Sequence, residues 1–284
     1  MDWIVEVSDE ERARGALHEA TAARAQAALL ERGCLILRSA FDPALIAALH
    51  AEFTAQYGAL DAAGMEALSA RPPPTPLLKV GEGRYDITPR MTGAFGRTEL
   101  FANPLLCRFL TLALSGAMRL SGCTLVASYP GAALQHIHRD HPHLFGEADV
   151  AANLPAYAIS VALPLVDVDA QNGPTGVWPG SHRWNDGTPP APETAIAVPL
   201  RRGDCLMTDY RTLHTGLPNT SAQVRPVAYL VYARPWFFDE LNYTTRPSLD
   251  MTLEEYEALP GDAQSLLMRA FAASLDNGSD GYDG

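Results

Sequence analysis

Segment 135–140, which reads QHIHRD, carries the residue types in this chain that are most suited to chemistry. His138 and Asp140 in this segment, together with the distant His214, could bind one metal ion through two imidazoles and one carboxylate. Such a set leaves three coordination positions open, and non-haem iron(II) oxygenases use this arrangement. The spacing therefore makes His138, Asp140 and His214 candidate ligands of an iron(II) ion.

The position of the His-x-Asp pair supports this interpretation. The pair follows a strand-like run at 124–129, and alternation along an extended chain sends the side chains of His138 and Asp140 to the same side. His214 must then reach the ion from a neighbouring strand, which a rolled sheet permits. His136 shares the alternation, but no carboxylate lies two residues beyond it, so we expect it beside the metal rather than bound to it.

Composition limits the class of protein. The 284 residues are 47% hydrophobic and 19% charged, which is typical of a soluble globular protein with a large core. A net charge of −12 argues against a nucleic-acid or anionic-membrane partner. We find no long apolar run and no N-terminal signal pattern. The four cysteines are widely separated, which disfavours a disulfide framework and favours a reducing, cytoplasmic location.

The hydrophobic pattern predicts a helical N-terminal part followed by a β-core. The pattern predicts helix over about 8–60, and Asp42-Pro43 has the residue types that begin a helix. Alternating apolar residues and turn signals predict strands over about 120–240, and the tail at about 250–276 reads as helical. With no internal repeat and no obvious linker, we expect a single domain over residues 1–284.

The segment at 71–91 is rich in proline and glycine, and we expect a loop there that covers a site. Lys79 and Arg84 in this loop are candidate contacts for a polar substrate. The aromatic side chains of Trp178 and Trp236 are further candidates for lining a substrate pocket, although such side chains more often belong to the core.

Several motifs together resemble the phytanoyl-CoA dioxygenase family of Fe(II)- and 2-oxoglutarate-dependent oxygenases. They lie at 135–145, at 172–182 and at 212–216, the last of which is followed by Arg225-Pro226, and the resemblance covers roughly 28–240. It implies a mainly β fold: a double-stranded β-helix, or jelly roll, buttressed by α-helices and preceded by a helical N-terminal part.

The resemblance also implies roles for single residues. His138, Asp140 and His214 match the family's iron ligands, Arg225 matches its anchor for the far carboxylate of 2-oxoglutarate, and Gln135 and Thr175 match positions that hydrogen-bond this cosubstrate. The implied cofactors are Fe(II), 2-oxoglutarate and O2. A guanidinium binds a carboxylate through two parallel hydrogen bonds, which lysine cannot do. The alternative for Arg225 is an internal salt bridge with a buried carboxylate.

The resemblance implies hydroxylation of an unactivated C–H bond in a small molecule, such as an amino acid or a natural-product intermediate, with release of succinate and CO2. Halogenases that resemble this family replace the metal-binding carboxylate with a small residue, so Asp140 disfavours halogenation. Desaturation, cyclisation and epoxidation remain open. Two other classes also remain. One is a zinc hydrolase or an iron enzyme that does not use 2-oxoglutarate, and an Arg225 that pairs with a protein group would favour it. The other is a non-catalytic jelly roll that binds a ligand. The substrate and the oligomeric state stay undetermined.

Overall fold

The computed structural model describes residues 1–71, 75–185, 187 and 189–279. Its strands are β1 (Ile4–Glu6), β2 (Cys34–Arg38), β3 (Leu77–Gly81), β4 (Arg84–Ile87), β5 (Arg119–Ser128), β6 (Ala158–Pro164), β7 (Thr175–Val177), β8 (Ile196–Val198), β9 (Cys205–Asp209), β10 (His214–Gly216) and β11 (Arg225–Ala233). Its α-helices are α1 (Asp9–Arg14), α2 (Glu19–Arg32), α3 (Pro43–Tyr57), α4 (Ala62–Ser69), α5 (Thr98–Phe101), α6 (Pro104–Ala113), α7 (Ala148–Asn153), α8 (Leu253–Glu257) and α9 (Gly261–Ser279).

Two sheets form the centre of the molecule. Within the described residues, the larger sheet has eight strands in the order β1-β2-β9-β6-β11-β5-β4-β3, and the smaller has three in the order β10-β7-β8. β1 and β2 run parallel, and the other paired strands run antiparallel. Helix α2 packs on β1 and β2, and α9 packs on β5, so helices cover the outside of the larger sheet. The predicted mainly β architecture with supporting helices is confirmed, although the N-terminal helical part is small.

Helix α3 shows how the local sequence produces one of these supports. Pro43 occupies its first turn, and the Asp42 carboxylate accepts a hydrogen bond from the N–H of Ala44 at 2.8 Å. These two residues begin the helix as predicted, because an N-cap side chain satisfies a backbone donor that has no partner within the helix. The helix buries one stripe of side chains, formed by Leu45, Ile46, Leu49 and Phe53.

The predicted loop at 71–91 is wrong at 77–81 and 84–87, which are strands, and its residues 72–74 lie outside the described part of the chain. Strands β3 and β4 form a hairpin there, with Leu77 opposite Ile87, and β4 continues the larger sheet by pairing with β5. The chain turns at Gly83, which has a φ of +66°, a backbone conformation that glycine adopts without strain. The physical reason for the error is that the short apolar alternation of these strands is hidden among proline and glycine residues.

Two further expectations concern disulfides and membranes. All four cysteines lie in the described part of the chain and are free, and burial raises the pKa of the Cys34 and Cys123 thiols to about 12. A raised pKa keeps a thiol protonated and unreactive. Among the described residues, no helix has the length and apolar character required to cross a bilayer.

The start of α1 provides a prediction about acid stability. The Glu11 carboxylate accepts hydrogen bonds from the N–H of Ser8 at 2.9 Å and from the N–H of His18 at 2.7 Å. Burial alone would raise the pKa of Glu11, but these hydrogen bonds outweigh burial and lower the pKa to about 2. A carboxyl group whose pKa is lower in the folded state stabilises the fold above its unfolded pKa and loses this effect as the pH falls.

We therefore expect the free energy of unfolding of the wild type to exceed that of Glu11→Gln at neutral pH, and the difference to shrink as the pH falls from about 5 to about 2. Urea unfolding at a series of pH values measures this, with the exposed Glu31→Gln as control. A difference that stays constant over this range would contradict the assignment.

Candidate metal centre

A cavity of about 490 Å³ lies between the two sheets. Inward-facing side chains of β3, β4, β5, β6 and β11 form one wall, and residues of β7 and β10 contribute to the other. The three candidate metal ligands and the candidate cosubstrate contacts all line this cavity: Gln135, His138, Asp140, Thr175, His214 and Arg225.

His138 and His214 are brought together by backbone pairing. The chain leaves β5, crosses to the smaller sheet and forms an isolated antiparallel bridge in which His138 lies opposite His214. The N–H of His138 donates to the carbonyl of His214 at 3.0 Å, and the reverse hydrogen bond measures 2.9 Å. Directly opposed residues place their side chains on the same face, and the centroids of the two imidazole rings lie 4.3 Å apart.

Hydrogen bonds orient each ring. Nδ1 of His138 lies 2.9 Å from the carbonyl oxygen of His136, and Nδ1 of His214 lies 3.0 Å from that of Thr212. Carbonyl oxygens only accept, so each Nδ1 carries a hydrogen and each Nε2 is left for another partner. A histidine that binds a metal typically donates its second ring N–H to a carbonyl or carboxylate in this way. Both rings are therefore prepared to bind an ion through Nε2.

Asp140 completes the group. Its N–H donates to the carbonyl of Tyr210 at 3.0 Å, and its Oδ1 lies 3.4 Å from Nε2 of His214. One ligand atom from each of His138, Asp140 and His214 lies within 4.8 Å of the others. Two imidazole nitrogens and a carboxylate oxygen at this spacing suit a single divalent transition metal with positions left open.

The charges of these residues are coupled. Burial and the charge of His214 lower the pKa of His138 to about 4, so His138 is neutral at physiological pH. Burial would raise the pKa of Asp140, but the charge and hydrogen bond of His214 hold it below its usual range. Burial opposes the charged form of His214 too, yet Asp140 raises the pKa of His214. Asp140 and His214 therefore each favour the charged form of the other.

Asn242, in the segment that follows β11, supports Asp140. Its Nδ2 donates to the carbonyl oxygen of Asp140 at 2.9 Å and to Oδ2 of Asp239 at 2.8 Å. Oδ2 of Asp239 also accepts a hydrogen bond from the hydroxyl of Tyr210 at 3.1 Å. The backbone of the candidate ligand is thus held from two directions, by Tyr210 and by Asn242.

We expect Asn242→Ala to weaken metal binding roughly 10- to 100-fold, because groups that orient a metal ligand typically have effects of this size. Anaerobic calorimetric titration with Fe(II) measures the affinity. Gln56→Ala on the exposed side of α3 is a control that also removes an amide. An Asn242→Ala protein that binds Fe(II) as tightly as the wild type would show that this hydrogen bond does not position Asp140.

A pair of buried arginines lies along one wall of the cavity. Arg84 and Arg225 are each paired in register with Ser128, from the two sides of β5. Nη2 of Arg225 donates to the carbonyl of Gly173 at 2.7 Å, and the Tyr229 side chain interacts with the same guanidinium. By distance and angle, Nε and Nη1 are buried without a hydrogen-bond partner among the described residues. Burial and the charge of Arg225 lower the pKa of Arg84 to about 10, so Arg84 stays charged at neutral pH.

Neither guanidinium forms a salt bridge within the described residues, so the internal ion pair considered for Arg225 is not seen there. Arg84 donates instead to the carbonyl oxygens of Ala133 and Leu217, at 3.1 and 2.6 Å. Two buried like charges repel each other and are costly without an anion. This wall of the cavity is therefore suited to an anionic ligand.

Gln135 and Thr175 lie near these arginines. The N–H of Gln135 donates to the carbonyl of Gly216, and Thr175 is paired with Gly216 between β7 and β10. A Cβ atom at Gly216 would lie 2.4 Å from Nη1 of Arg84 and 3.0 Å from Oε1 of Gln135, so glycine allows both side chains to approach. Gln135 and Thr175 therefore line the same cavity as both arginines.

Three of the suggested substrate contacts lie outside the cavity lining. Lys79 points away from the cavity, since Leu78 and Val80 on either side line it, and its Nζ pairs with Glu66 at 2.8 Å. Trp178 is buried and donates from Nε1 to Thr194. Trp236 is 63% exposed. Arg84, the fourth, lines the cavity as described above.

Sequence reasoning missed several side chains that line the cavity. Alternation along β11, which places every second residue inward, could have identified Tyr229. The other missed residues have no local signal in the sequence. They lie at the end of β4, just after β9, or in the segment after β11. These residues are Asp86, Tyr210, Asn242, Tyr243 and Arg246.

Solved structures of other proteins share this fold. The non-haem alpha-ketoglutarate-dependent epimerase SnoN of nogalamycin biosynthesis has a TM-score of 0.55, is 19% identical, and aligns over 76% of this chain and 82% of its own. HygX of Streptomyces hygroscopicus, solved with nickel and 2-oxoglutarate, also has a TM-score of 0.55, is 14% identical, and aligns over 78% of this chain and 89% of its own. A second SnoN structure contains Fe³⁺, alpha-ketoglutarate and nogalamycin RO. These similarities show the fold and confirm the predicted jelly roll.

The curated sequence relatives include dioxygenases. The dioxygenase andF of Emericella variicolor is 31% identical over 106 residues, which is 37% of this chain and 37% of that relative. The chain thus spans well under two thirds of the curated relatives it matches. The model of the phytanoyl-CoA dioxygenase (PhyH) family matches residues 29–227, which is more than half of the sequence. The chain therefore belongs to the phytanoyl-CoA dioxygenase family.

Proposed function

We propose that this protein is a non-haem Fe(II)- and 2-oxoglutarate-dependent oxygenase that hydroxylates an unactivated C–H bond of a small molecule. The observation that carries the proposal is the convergence of His138, Asp140 and His214 in a cavity that also contains the buried Arg225 with unpartnered N–H groups. When bound, iron and 2-oxoglutarate supply oxidation of a C–H bond by O2, with conversion of 2-oxoglutarate to succinate and CO2.

The residues fit these cofactors. Nε2 of His138, Nε2 of His214 and the carboxylate of Asp140 would hold the iron. Nε and Nη1 of Arg225 lack partners among the described residues, and they would donate to the far carboxylate of 2-oxoglutarate. Arg84 adds a second positive charge on the same row of the sheet, which balances a dianionic ligand.

The protein's own contribution is binding, orientation and exclusion of water. Gln135 and Thr175 would fix the orientation of 2-oxoglutarate between the arginines and the metal. Tyr210 and Asn242 hold the backbone of Asp140, so that its carboxylate keeps one position while ligands exchange. The cavity walls shield the reacting groups from bulk water, which strengthens the electrostatic interactions inside.

Asp140 favours hydroxylation over halogenation, because halogenases that resemble this family have a small residue at this position and bind chloride there. Proteins of similar structure include an epimerase and a carbocyclase, so placement of the substrate can lead to other outcomes on this fold. We propose hydroxylation as the default outcome, with desaturation, cyclisation or epoxidation as the results that product analysis would distinguish.

A small polar molecule is the proposed class of substrate. The cavity of about 490 Å³ would hold 2-oxoglutarate as well as the substrate, which favours a small substrate. HygX has been solved with hygromycin B bound, and SnoN with nogalamycin RO. A CoA thioester would need a basic patch for its phosphates, and this acidic chain has a single lysine. We therefore favour an amino acid or a natural-product intermediate over a CoA ester.

The test is anaerobic loading with Fe(II) and 2-oxoglutarate, followed by exposure to O2 in the presence of candidate substrates. We expect succinate release that depends on both cofactors and increases with a true substrate, together with a product that gains one oxygen atom. His214→Ala is the inactive control. Failure to bind Fe(II) or 2-oxoglutarate would contradict the proposal.

A further inference from the structure

The cavity has a second polar region that the proposed cofactors leave unused. Asp86 lies on β4, two residues beyond Arg84 and on the same face, and it also lines the cavity. Two residues of a strand span about 7 Å. Arg84 is in register with Ser128 and Asp86 with Val126, so Asp86 is displaced along the strands from the row that carries both arginines.

One oxygen of the Asp86 carboxylate is paired and the other is not. Oδ2 forms a salt bridge with Nη1 of Arg246. Oδ1 is buried and has no hydrogen-bond partner among the described residues, and Asp86 as a whole is 8% exposed. A buried carboxylate oxygen without a donor is costly, because the hydrogen bonds it would make with water have been lost.

Arg246 is held in place by its own segment. Its Nε donates to the carbonyl of Asn242 at 2.9 Å, and its guanidinium carbon lies 5.2 Å from the centre of the Tyr243 ring. The guanidinium therefore stays on Oδ2 and balances the charge of Asp86. What Oδ1 lacks is a hydrogen-bond donor, and Asp86 lines the cavity in which a ligand would bind.

We propose that Asp86 is a specificity-determining residue that accepts, through Oδ1, a hydrogen bond from a hydroxyl or ammonium group of the substrate. This inference rests on the proposed function, since it assigns the cavity beyond the arginines to the substrate. The hydroxyl-bearing side chains of Thr124 and Ser160 line the same cavity and add polar contacts for such a molecule. The substrate class is accordingly a molecule with an O–H or N–H donor at a fixed distance from the carbon that is oxidised.

Asp86→Asn is the substitution that tests this role most directly. The amide keeps the shape of the side chain, and Arg246, which only donates, selects the amide oxygen as its partner. The NH2 group then takes the place of Oδ1, so the free acceptor becomes a donor. Glu66→Gln is the matched control, because it makes the same change at an exposed carboxylate that pairs with Lys79.

The experiment uses protein loaded with Zn(II), which is redox-inert, and 2-oxoglutarate. The probes are cyclohexanol, cyclohexylammonium and methylcyclohexane, whose binding is measured by ligand-observed NMR. We expect the wild type and Glu66→Gln to prefer a donor-bearing probe over methylcyclohexane. We expect Asp86→Asn to bind cyclohexylammonium roughly 10- to 100-fold more weakly, because an ammonium only donates, with methylcyclohexane unaffected. The hydroxyl of cyclohexanol can also accept from the new amide, so its preference is tested by the double variant below. Preference for cyclohexanol or for cyclohexylammonium identifies the donor.

Equal cyclohexylammonium affinities in the wild type and Asp86→Asn, or an unchanged preference for a donor-bearing probe in the double variant below, would overturn the assignment. The double variant Asp86→Leu/Arg246→Leu removes both charges and keeps the test decisive if Asp86→Asn fails to fold, and it should lose the preference for donors. Binding of Zn(II) and 2-oxoglutarate is measured separately by calorimetry. Failure of that binding in the wild type overturns the proposed function, whereas loss of the probe effect alone overturns only the role of Asp86.

Discussion

Asp140→Ala should abolish turnover and strongly reduce affinity for Fe(II). Asp140 contributes the sole carboxylate among the clustered ligand atoms, and its charge also orients His214 through the contact at 3.4 Å. Without it, two imidazoles remain, and divalent iron loses its one anionic oxygen ligand from this group. Succinate release and anaerobic Fe(II) titration measure the two effects.

The exposed Asp167→Ala is the control for loss of a carboxylate elsewhere on the protein. Circular dichroism of both variants establishes that the fold is retained. Full turnover of Asp140→Ala with native iron affinity would remove Asp140 from the ligand set and would leave His136, which also lines the cavity, as the residue to examine next.

Arg225→Ala should raise the KM for 2-oxoglutarate strongly. Removal of one partner from a buried, hydrogen-bonded charge pair costs about 2–5 kcal/mol, which corresponds to roughly 30-fold to several thousand-fold in affinity. The effect should fall on binding of 2-oxoglutarate, because Arg225 is expected to contact the far carboxylate rather than the reacting atoms. Steady-state kinetics and calorimetry with Zn(II)-loaded protein measure it.

Two further variants sharpen this result. Arg225→Lys should restore only part of the affinity, since an ammonium lacks the planar pair of donors. Arg24→Ala, on the exposed side of α2, controls for loss of positive charge. An unchanged KM in Arg225→Ala would break the assignment, and Arg84, which is in register with the same residue of β5, would be the next candidate.

The arrangement of the two buried arginines favours binding of an anionic ligand in the cavity. Arg84 and Arg225 repel each other across β5, and burial and this repulsion lower the pKa of Arg84 to about 10. A dianion between them would remove this cost. The same cavity offers Asp86 and Arg246 as a balanced pair away from the arginines, which leaves that part electrically neutral and suited to an uncharged or singly charged substrate.

Local patterns in the sequence were sufficient for part of this picture. The His-x-Asp spacing predicts two side chains on one face, and alternation and turn residues predict the strands that carry them, because both depend on geometry within a few residues. The start of α3 at Asp42-Pro43 follows for the same reason. Arg225, a charge within an apolar run, points to a buried partner from its position alone.

The tertiary structure decided which distant residues meet. Arg84 reaches Arg225 because β4 and β11 both pair with β5, and Asn242 reaches Asp140 because the chain after β11 returns to the cavity. Lys79 turns outward because β3 is a strand and not the expected loop. Strand order and register depend on pairing between segments far apart in the chain, and no local pattern encodes that pairing.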